Sequence, residues 1–252
     1  MPILLLPALL SAGFLLLLGS AGAVGEAAAP AAGSVPAWPA AVNLVYRTEG
    51  DTRVAGLPLT LHARTTTRWV RAGDRYETHL HTDTISFDQA SSGHLGPDGA
   101  LVPEQYTEKR PFHSAEGVHI DWTHGQIRFG EAAPARAPEP GAQDRLSLQF
   151  EMARLRQLHP EHFAPGAVYA VNLIGTHDVD PWTFSITEDA AVQTGRGTMK
   201  ATRFSARRTV GQVEETMDVW LGADVWWMPV RIRIVDRHAS VIDSILQDFE
   251  LP

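Results

Sequence analysis

Leu57-Pro58-Leu59-Thr60-Leu61-His62-Ala63-Arg64-Thr65-Thr66-Thr67-Arg68-Trp69 puts apolar residues and threonines at every odd position and Thr60, His62, Arg64, Thr66 and Arg68 at the even ones. Successive side chains of an extended chain point to opposite faces, so this period of two predicts a long antiparallel strand with one face buried and one wet. Ala72-Gly73-Asp74 turns it into a partner from about Arg75 to Phe87, in which Tyr76 and Leu80 alternate with Glu77, His79, His81 and Asp83. Upstream, Val42, Leu44 and Tyr46 alternate against Asn43 and Arg47 in the same way.

Working outward, Gly96-Pro97-Asp98-Gly99 has proline and glycine where a type I turn accepts them, and Thr123-His124-Gly125 supplies another turn. Further strands are predicted over Val168–Ile174, Trp182–Thr187, Thr198–Val210, Val213–Leu221, Met228–Val235 and Val241–Phe249. One segment has a helical period: it starts near Asp144, whose carboxylate can cap it, and stops at His159-Pro160. Leu148, Met152 and Leu155 form its apolar stripe, widened by Leu146, Phe150 and Ala153. A stripe of that width needs a sheet to cover it. The expected fold is therefore mainly β: a strongly curved antiparallel sheet or incomplete β-barrel with one amphipathic helix packed on its concave face.

The first 25 residues contain no charged side chain, and their apolar run from Ile3 to Leu18 ends at Ala21-Gly22-Ala23. That run is short for a bilayer span and precedes a small-x-small cleavage pattern, so residues 1–23 are expected to be a signal peptide. The alternative is an uncleaved segment that anchors the chain in the inner membrane. Residues 24–41, rich in Ala, Pro and Gly, are expected to be a flexible tether, and 42–252 a single β domain. The expected location is the periplasm. Cysteine is absent, which excludes thiol catalysis, cysteine-ligated zinc and a lipid-modified cysteine after the leader.

The formal charge of −8 argues against a nucleic-acid partner, which would require a basic footprint. Between Arg196 and Ser240, however, eight Lys or Arg stand against five Asp or Glu. These arginines could face anionic headgroups or, as the simpler arrangement, pair with carboxylates on neighbouring strands.

No GxSxG, HExxH, GxxxxGK[ST] or strand–helix GxGxxG signature is present, and no catalytic residue is assigned. Gly195-Arg196-Gly197-Thr198-Met199-Lys200 lies between two strands, without the helix N-terminus that a phosphate loop needs. His79, His81 and Asp83 share a strand face that reads as a solvated row. In His159-Pro160-Glu161-His162 the spacing after a helix end does not place ligands on one face. No metal or cofactor is implied.

Large aromatic residues are the more informative group. Phe150, Trp182, Phe184, Trp220 and Trp227 are the candidate lining of an apolar ligand pocket between sheet and helix, against the alternative that they fill the core.

Ser92-Gly93-His94-Leu95, Gly99-Ala100-Leu101-Val102-Pro103-Glu104-Gln105-Tyr106, Gln143-Asp144-Arg145-Leu146-Ser147, and Trp220-Leu221 followed by Pro229-Val230-Arg231 occur in this order. Together they resemble the landmarks of domain-of-unknown-function family 3108 of bacterial envelope proteins, over Val42 to Phe249. Gly222-Ala223-Asp224 departs slightly from the family's usual continuation after Trp-Leu. The resemblance implies an exported, mainly antiparallel β protein without established catalytic residues, in which Gln143, Asp144, Pro229 and Arg231 are structural. Its architecture is also similar to that of periplasmic lipoprotein carriers, which hold acyl chains in a concavity. The expected function is a non-enzymatic envelope protein that binds a lipid, the acyl part of a lipoprotein, or another apolar ligand. The alternative is a periplasmic scaffold or assembly factor that recognises an envelope protein partner.

Overall fold

The computed structural model describes residues 38–54, 57–130 and 136–251. The expected signal peptide and residues 24–37 of the expected tether lie outside the described residues. The end of that tether is part of the folded body: Trp38 meets Trp69 edge-on at 6.2 Å, the Trp69 indole N–H donates to the Pro39 carbonyl at 3.2 Å, and the first strand starts at Ala41.

Among the described residues, fourteen strands form one sheet. The first seven are β1 (Ala41–Val54), β2 (Leu57–Ala72), β3 (Arg75–Thr82), β4 (Phe87–Leu95), β5 (Leu101–Lys109), β6 (Glu116–Asp121) and β7 (Gln126–Phe129). The short β8 (Gln143–Asp144) leads into the helix α1 (Ser147–Leu158). Then follow β9 (Val168–Ile174), β10 (Val179–Thr194), β11 (Gly197–Val210), β12 (Val213–Gly222), β13 (Pro229–Val235) and β14 (Val241–Glu250). Two sequential meanders, β1 to β7 and β9 to β14, are joined where the first strand pairs with the last. Every named pair is antiparallel except β8 on β9.

The period of two places the inner face as expected. Thr65, Thr67 and Trp69 of β2 are buried while Arg64 and Arg68 are exposed, although Leu59, near the strand's start, faces solvent. Thr48, Thr65, Thr82 and Ser244 form a buried row of hydroxyls across four adjacent strands, linked at 2.7–2.8 Å. Each hydroxyl can donate to one neighbour and accept from another, so these polar groups are buried without leaving unpaired donors.

Three local expectations are corrected. The strand predicted to run from Arg75 to Phe87 is two strands, with a turn over Asp83–Ser86 in which Thr84 and Ser86 have positive φ. No glycine or proline marks that turn; the Asp83 carboxylate holds it by accepting the Arg64 N–H at 2.8 Å and the Thr84 hydroxyl at 3.1 Å. The helix starts at Ser147 rather than near Asp144, because Asp144 is still paired with Ile174 in β8. Its carboxylate nevertheless takes the backbone N–H groups of Leu146 and Ser147 at 2.9 and 2.8 Å. Finally, β10 extends well beyond Trp182–Thr187 in both directions, and the β10–β11 turn reaches β14: Gly195 N–H donates to the Leu246 carbonyl at 2.9 Å.

Among the described residues, the two ends of the sheet approach each other without a shared ladder. Glu116 of β6 accepts from Thr176 at 3.3 Å and lies 3.0 Å from His177, both just past β9. Gln143 of β8 donates to the Leu101 carbonyl of β5 at 2.7 Å, and Arg136 donates to the Val179 carbonyl of β10 at 3.3 Å. Side chains thus complete what backbone pairing leaves open, and the result is an incomplete barrel with α1 on its concave face.

Leu148, Phe150, Glu151, Met152, Ala153 and Arg154 of α1 are all buried. Phe150 packs with Trp69, Tyr76 and Tyr106 on one side; Leu148 and Met152 pack with Trp182, Phe184 and Phe204 on the other. Full burial of an aliphatic or aromatic side chain contributes about 1.5–3 kcal/mol. The helix therefore acts as the wedge that joins the two halves of the core.

Several arginines of the basic segment pair with carboxylates across strands. Arg203 pairs with Asp218 at 2.9 Å, Arg208 with Asp180 at 2.6 Å, Arg231 with Asp243 at 2.6 Å, and Arg207 with Glu214 at 3.5 Å. The simpler arrangement weighed for these arginines is the one observed.

Candidate functional site

The five aromatic residues expected to line one pocket are dispersed. Phe150 and Phe184 are fully buried in different parts of the core. Trp220 is buried in the same part of the core as Phe150, and its cross-strand neighbours Arg203 and Arg231 lie over its ring at 5.0 and 4.8 Å. Trp227 lies under the Arg156 guanidinium at 4.0 Å. Trp182 lines a cleft.

That cleft has a volume of about 480 Å³ and sits between α1, the β9–β10 pair, and the turn before β5. β8 pairs with β9 only at Leu173 and Ile174, which leaves the earlier part of β9 as an open edge on that side. Trp182, Val171 and Leu155 supply apolar surface, and Tyr169 adds an aromatic ring with a hydroxyl. The Arg208 guanidinium, fixed by Asp180 and Glu215, stacks 4.7 Å over the Trp182 ring and holds the indole in place.

Two residues on one face of the helix add buried charge to the lining, which also holds Asp98, Asn172 and Thr183. Arg154 donates through Nε and Nη2 to the Glu151 carboxylate at 2.8 and 2.6 Å, and both side chains are more than nine-tenths buried. Glu151 also accepts the Leu101 backbone N–H at 3.0 Å, which ties α1 to β5. The remaining guanidinium nitrogen, Nη1, is buried without a hydrogen-bond partner. An orphaned buried donor costs about 1–3 kcal/mol, so a group that could accept from it would be stabilising. Burial pushes the Tyr169 hydroxyl up, the nearby Glu151 carboxylate pushes it further up, and the hydroxyl stays protonated at neutral pH.

A second polar cluster lies where β8 meets β4. Asp144 is fully buried and accepts from the Ser91 hydroxyl at 2.5 Å as well as from the two first-turn amides of α1. Burial raises its carboxyl to about 6, and those hydrogen bonds only partly offset the rise. Next to it, Glu108 accepts from Tyr106 at 2.8 Å, Gln89 at 3.0 Å and Arg110 at 2.6 Å. Burial would raise the Glu108 carboxyl, but these donors hold it below the usual carboxylate range. Every carboxylate oxygen is used to tie elements together, so this cluster reads as an internal fastening.

Gln143, Pro229 and Arg231 have similar positions. Gln143 bridges to β5, the Pro229 carbonyl accepts the buried Tyr46 hydroxyl at 2.9 Å, and Arg231 makes a two-pronged contact with Asp243 at 2.9 and 2.6 Å. Gly93 sits at a bulge facing β5, where a Cβ would lie 2.1 Å from the Val102 carbonyl oxygen.

The expectation that His159, Glu161 and His162 do not share a face is overturned. The turn after α1 curls so that their ligand atoms lie within 4.8 Å of one another, and the two imidazoles stack at 5.9 Å. All three are exposed. His79 and His81 are also exposed on the outer face of β3.

Glu151, Arg154 and Tyr169 were not singled out from the sequence. The available signal was two charges three residues apart on the helix segment that also carries Leu148, Met152 and Leu155. Charges inside an apolar stripe are rare unless they are paired.

A solved structure similar to this chain is a β-barrel-like protein of domain of unknown function DUF1849 from Brucella abortus, with a TM-score of 0.50 and 11% identity. The match covers 85% of this chain and 98% of that one, and it shows a shared fold. A DUF1329 family protein from Desulfovibrio piger is also matched, at a TM-score of 0.28 and 7% identity, over 86% of this chain and 87% of that one. Among curated proteins none matches the sequence. Among the described residues, no helix is long and apolar enough to cross a membrane. The family described as "Protein of unknown function (DUF3108)" matches residues 46–238, more than half of the chain. With its landmark residues placed at the bulge, the β8–α1 junction and the β12–β13 pair of a single sheet, the chain belongs to the DUF3108 family.

Proposed function

We propose that this protein is an exported, non-enzymatic binding protein of the bacterial envelope that holds a lipid or similar amphipathic molecule in the cleft beside Trp182. The observation that carries the reading is the cleft itself: about 480 Å³ at an open sheet edge, apolar along Trp182, Val171 and Leu155, and polar along Glu151, Arg154 and Tyr169. Small-molecule sites typically occupy about 300–1,000 Å³ and combine apolar lining with a few placed polar groups. The uncharged leader with its apolar run supports export to the periplasm, and the β-barrel-like relative supports a fold that can enclose a ligand.

Native mass spectrometry of the protein isolated from periplasm, before and after addition of acyl lipids, tests the reading. A bound mass between about 200 and 800 Da, lost when Trp182 is replaced by Ala in a variant that still folds, supports it. Protein that stays empty at saturating lipid overturns it. The intact mass of the same sample tests export, since removal of residues 1–23 leaves a chain that starts at Val24.

A further inference from the structure

We infer that the turn after α1 is a surface binding site for one divalent transition metal ion such as Zn²⁺, held by His159, Glu161 and His162. None of the three lines the cleft, and the site does not depend on the binding reading above. Glu161 Oε1 lies 3.8 Å from His159 Nδ1 and 3.8 Å from His162 Nε2. Those separations exceed a hydrogen bond, whose heavy atoms come within about 3.2 Å of each other. They approach the spacing of ligands around an ion: a tetrahedral zinc about 2.0–2.1 Å from each nitrogen and oxygen sets its ligand atoms roughly 3.3–3.5 Å apart. All three ligand atoms lie within 4.8 Å of one another on exposed side chains, so small rotations close the remaining difference.

The backbone holds the three residues together. The His159 N–H donates to the Leu155 carbonyl at 2.8 Å where α1 ends, and the His162 N–H donates back to the His159 carbonyl at 3.0 Å. Pro160 fixes one φ angle between them. Past the turn, Phe163 is buried and packs with Tyr169 and Phe204 at 5.6 and 6.0 Å, which pins the segment at its other end. The ligands therefore come from one short, tethered segment, and little chain entropy is lost in gathering them. Two imidazoles and one carboxylate suit Zn²⁺, Ni²⁺ or Cu²⁺, whereas Ca²⁺ and Mg²⁺ take oxygen ligands. Water or a further ligand would complete the coordination. Because Phe163 touches Tyr169 of the cleft wall, a bound ion would stiffen the link between α1 and β9.

Isothermal titration of the untagged, chelator-treated protein with Zn²⁺ at pH 7.5 tests the site. One ion per chain is expected, with a dissociation constant below about 100 μM, and weaker binding overturns the inference. His159→Asn and His162→Asn should each weaken binding by about tenfold or more, since even the loss of a group behind a metal ligand costs 10–100-fold. Both positions are exposed, so the variants are expected to keep the parent's circular dichroism and urea midpoint. The control His79→Asn/His81→Asn, on the outer face of β3, should bind as the parent does. Unchanged affinity in the His159 and His162 variants, or an equal loss in the control, would assign the ion to scattered surface histidines and overturn the site. Excess Ca²⁺ or Mg²⁺ should leave the Zn²⁺ titration unchanged, and displacement by either would contradict a site built on imidazole. Titration with Co²⁺ adds a spectroscopic check: a visible absorption band that grows to one equivalent and is lost in His162→Asn supports direct ligation, and a band that persists in that variant counts against it.

Discussion

Phe150 of the helix stacks on Trp69 of β2, with 4.9 Å between ring centroids and 22° between ring planes, and neither side chain is exposed to solvent. Trp69 in turn stacks on Tyr76 at 5.3 Å, so three rings from α1, β2 and β3 form one column through the concave side of the sheet. No ligand can replace Phe150 in this column. Phe150→Ala is expected to lower stability by about 3–5 kcal/mol, because it leaves a cavity in a close-packed interior. Urea denaturation checks this, and a loss below about 1 kcal/mol would mean that the helix is not the wedge described.

Glu151 and Arg154 are expected to behave as a unit. Glu151→Gln alone leaves a buried guanidinium without its counter-charge and should cost about 3–5 kcal/mol, whereas replacing both residues by apolar ones of similar volume should be close to neutral. A double-mutant cycle from denaturation curves measures the coupling, and additive single and double effects would contradict a buried pair.

Asp144 gives a pH dependence of known sign. Burial raises its folded carboxyl to about 6, above the ordinary aspartate value of about 3.9, so the folded state binds more protons than the unfolded state between these values. Its contribution is therefore fully present below about pH 4 and is lost as pH rises through about 6, with a total of up to about 3 kcal/mol. Glu108 acts in the opposite direction. Its depressed carboxyl contributes above its ordinary value and loses that contribution as pH falls further. Stability should increase from pH 8 to about pH 5, and Asp144→Asn should remove that slope. The same slope in the variant would exclude Asp144 as its source.

Gly93→Ala tests the bulge. Its new Cβ would overlap backbone of the neighbouring strand at Val102 and Pro103, which cannot move aside as a flexible side chain can. A loss of roughly 1–3 kcal/mol is expected, as for overpacking elsewhere. Thermal melting measures it, and an unchanged midpoint would show that β4 and β5 can separate at no cost.

Most of the strands, the single helix and the inward-facing residues were legible because they depend on local periodicity: two for strands, and an apolar stripe for the helix. The Asp83–Ser86 turn was not legible, since a side-chain carboxylate does the work there that glycine or proline does at the other turns. The start of the helix was misplaced by three residues for a related reason. Asp144 was expected to cap the helix directly, but it caps from a position still held in a β-pair.

For the site, the chemistry of individual residues could be read while their association could not. Sequence alone determined that large aromatic side chains would point inward, because orientation along a strand or helix repeats with the backbone. Only the tertiary structure decided that Phe150 and Phe184 are sealed in the core, that Trp220 is buried there with two arginines over its ring, and that Trp182 meets Glu151, Arg154 and Tyr169 at a cleft. The physical reason is that a void, and the set of side chains around it, arise from how segments far apart in the chain pack against each other. No local pattern carries that information.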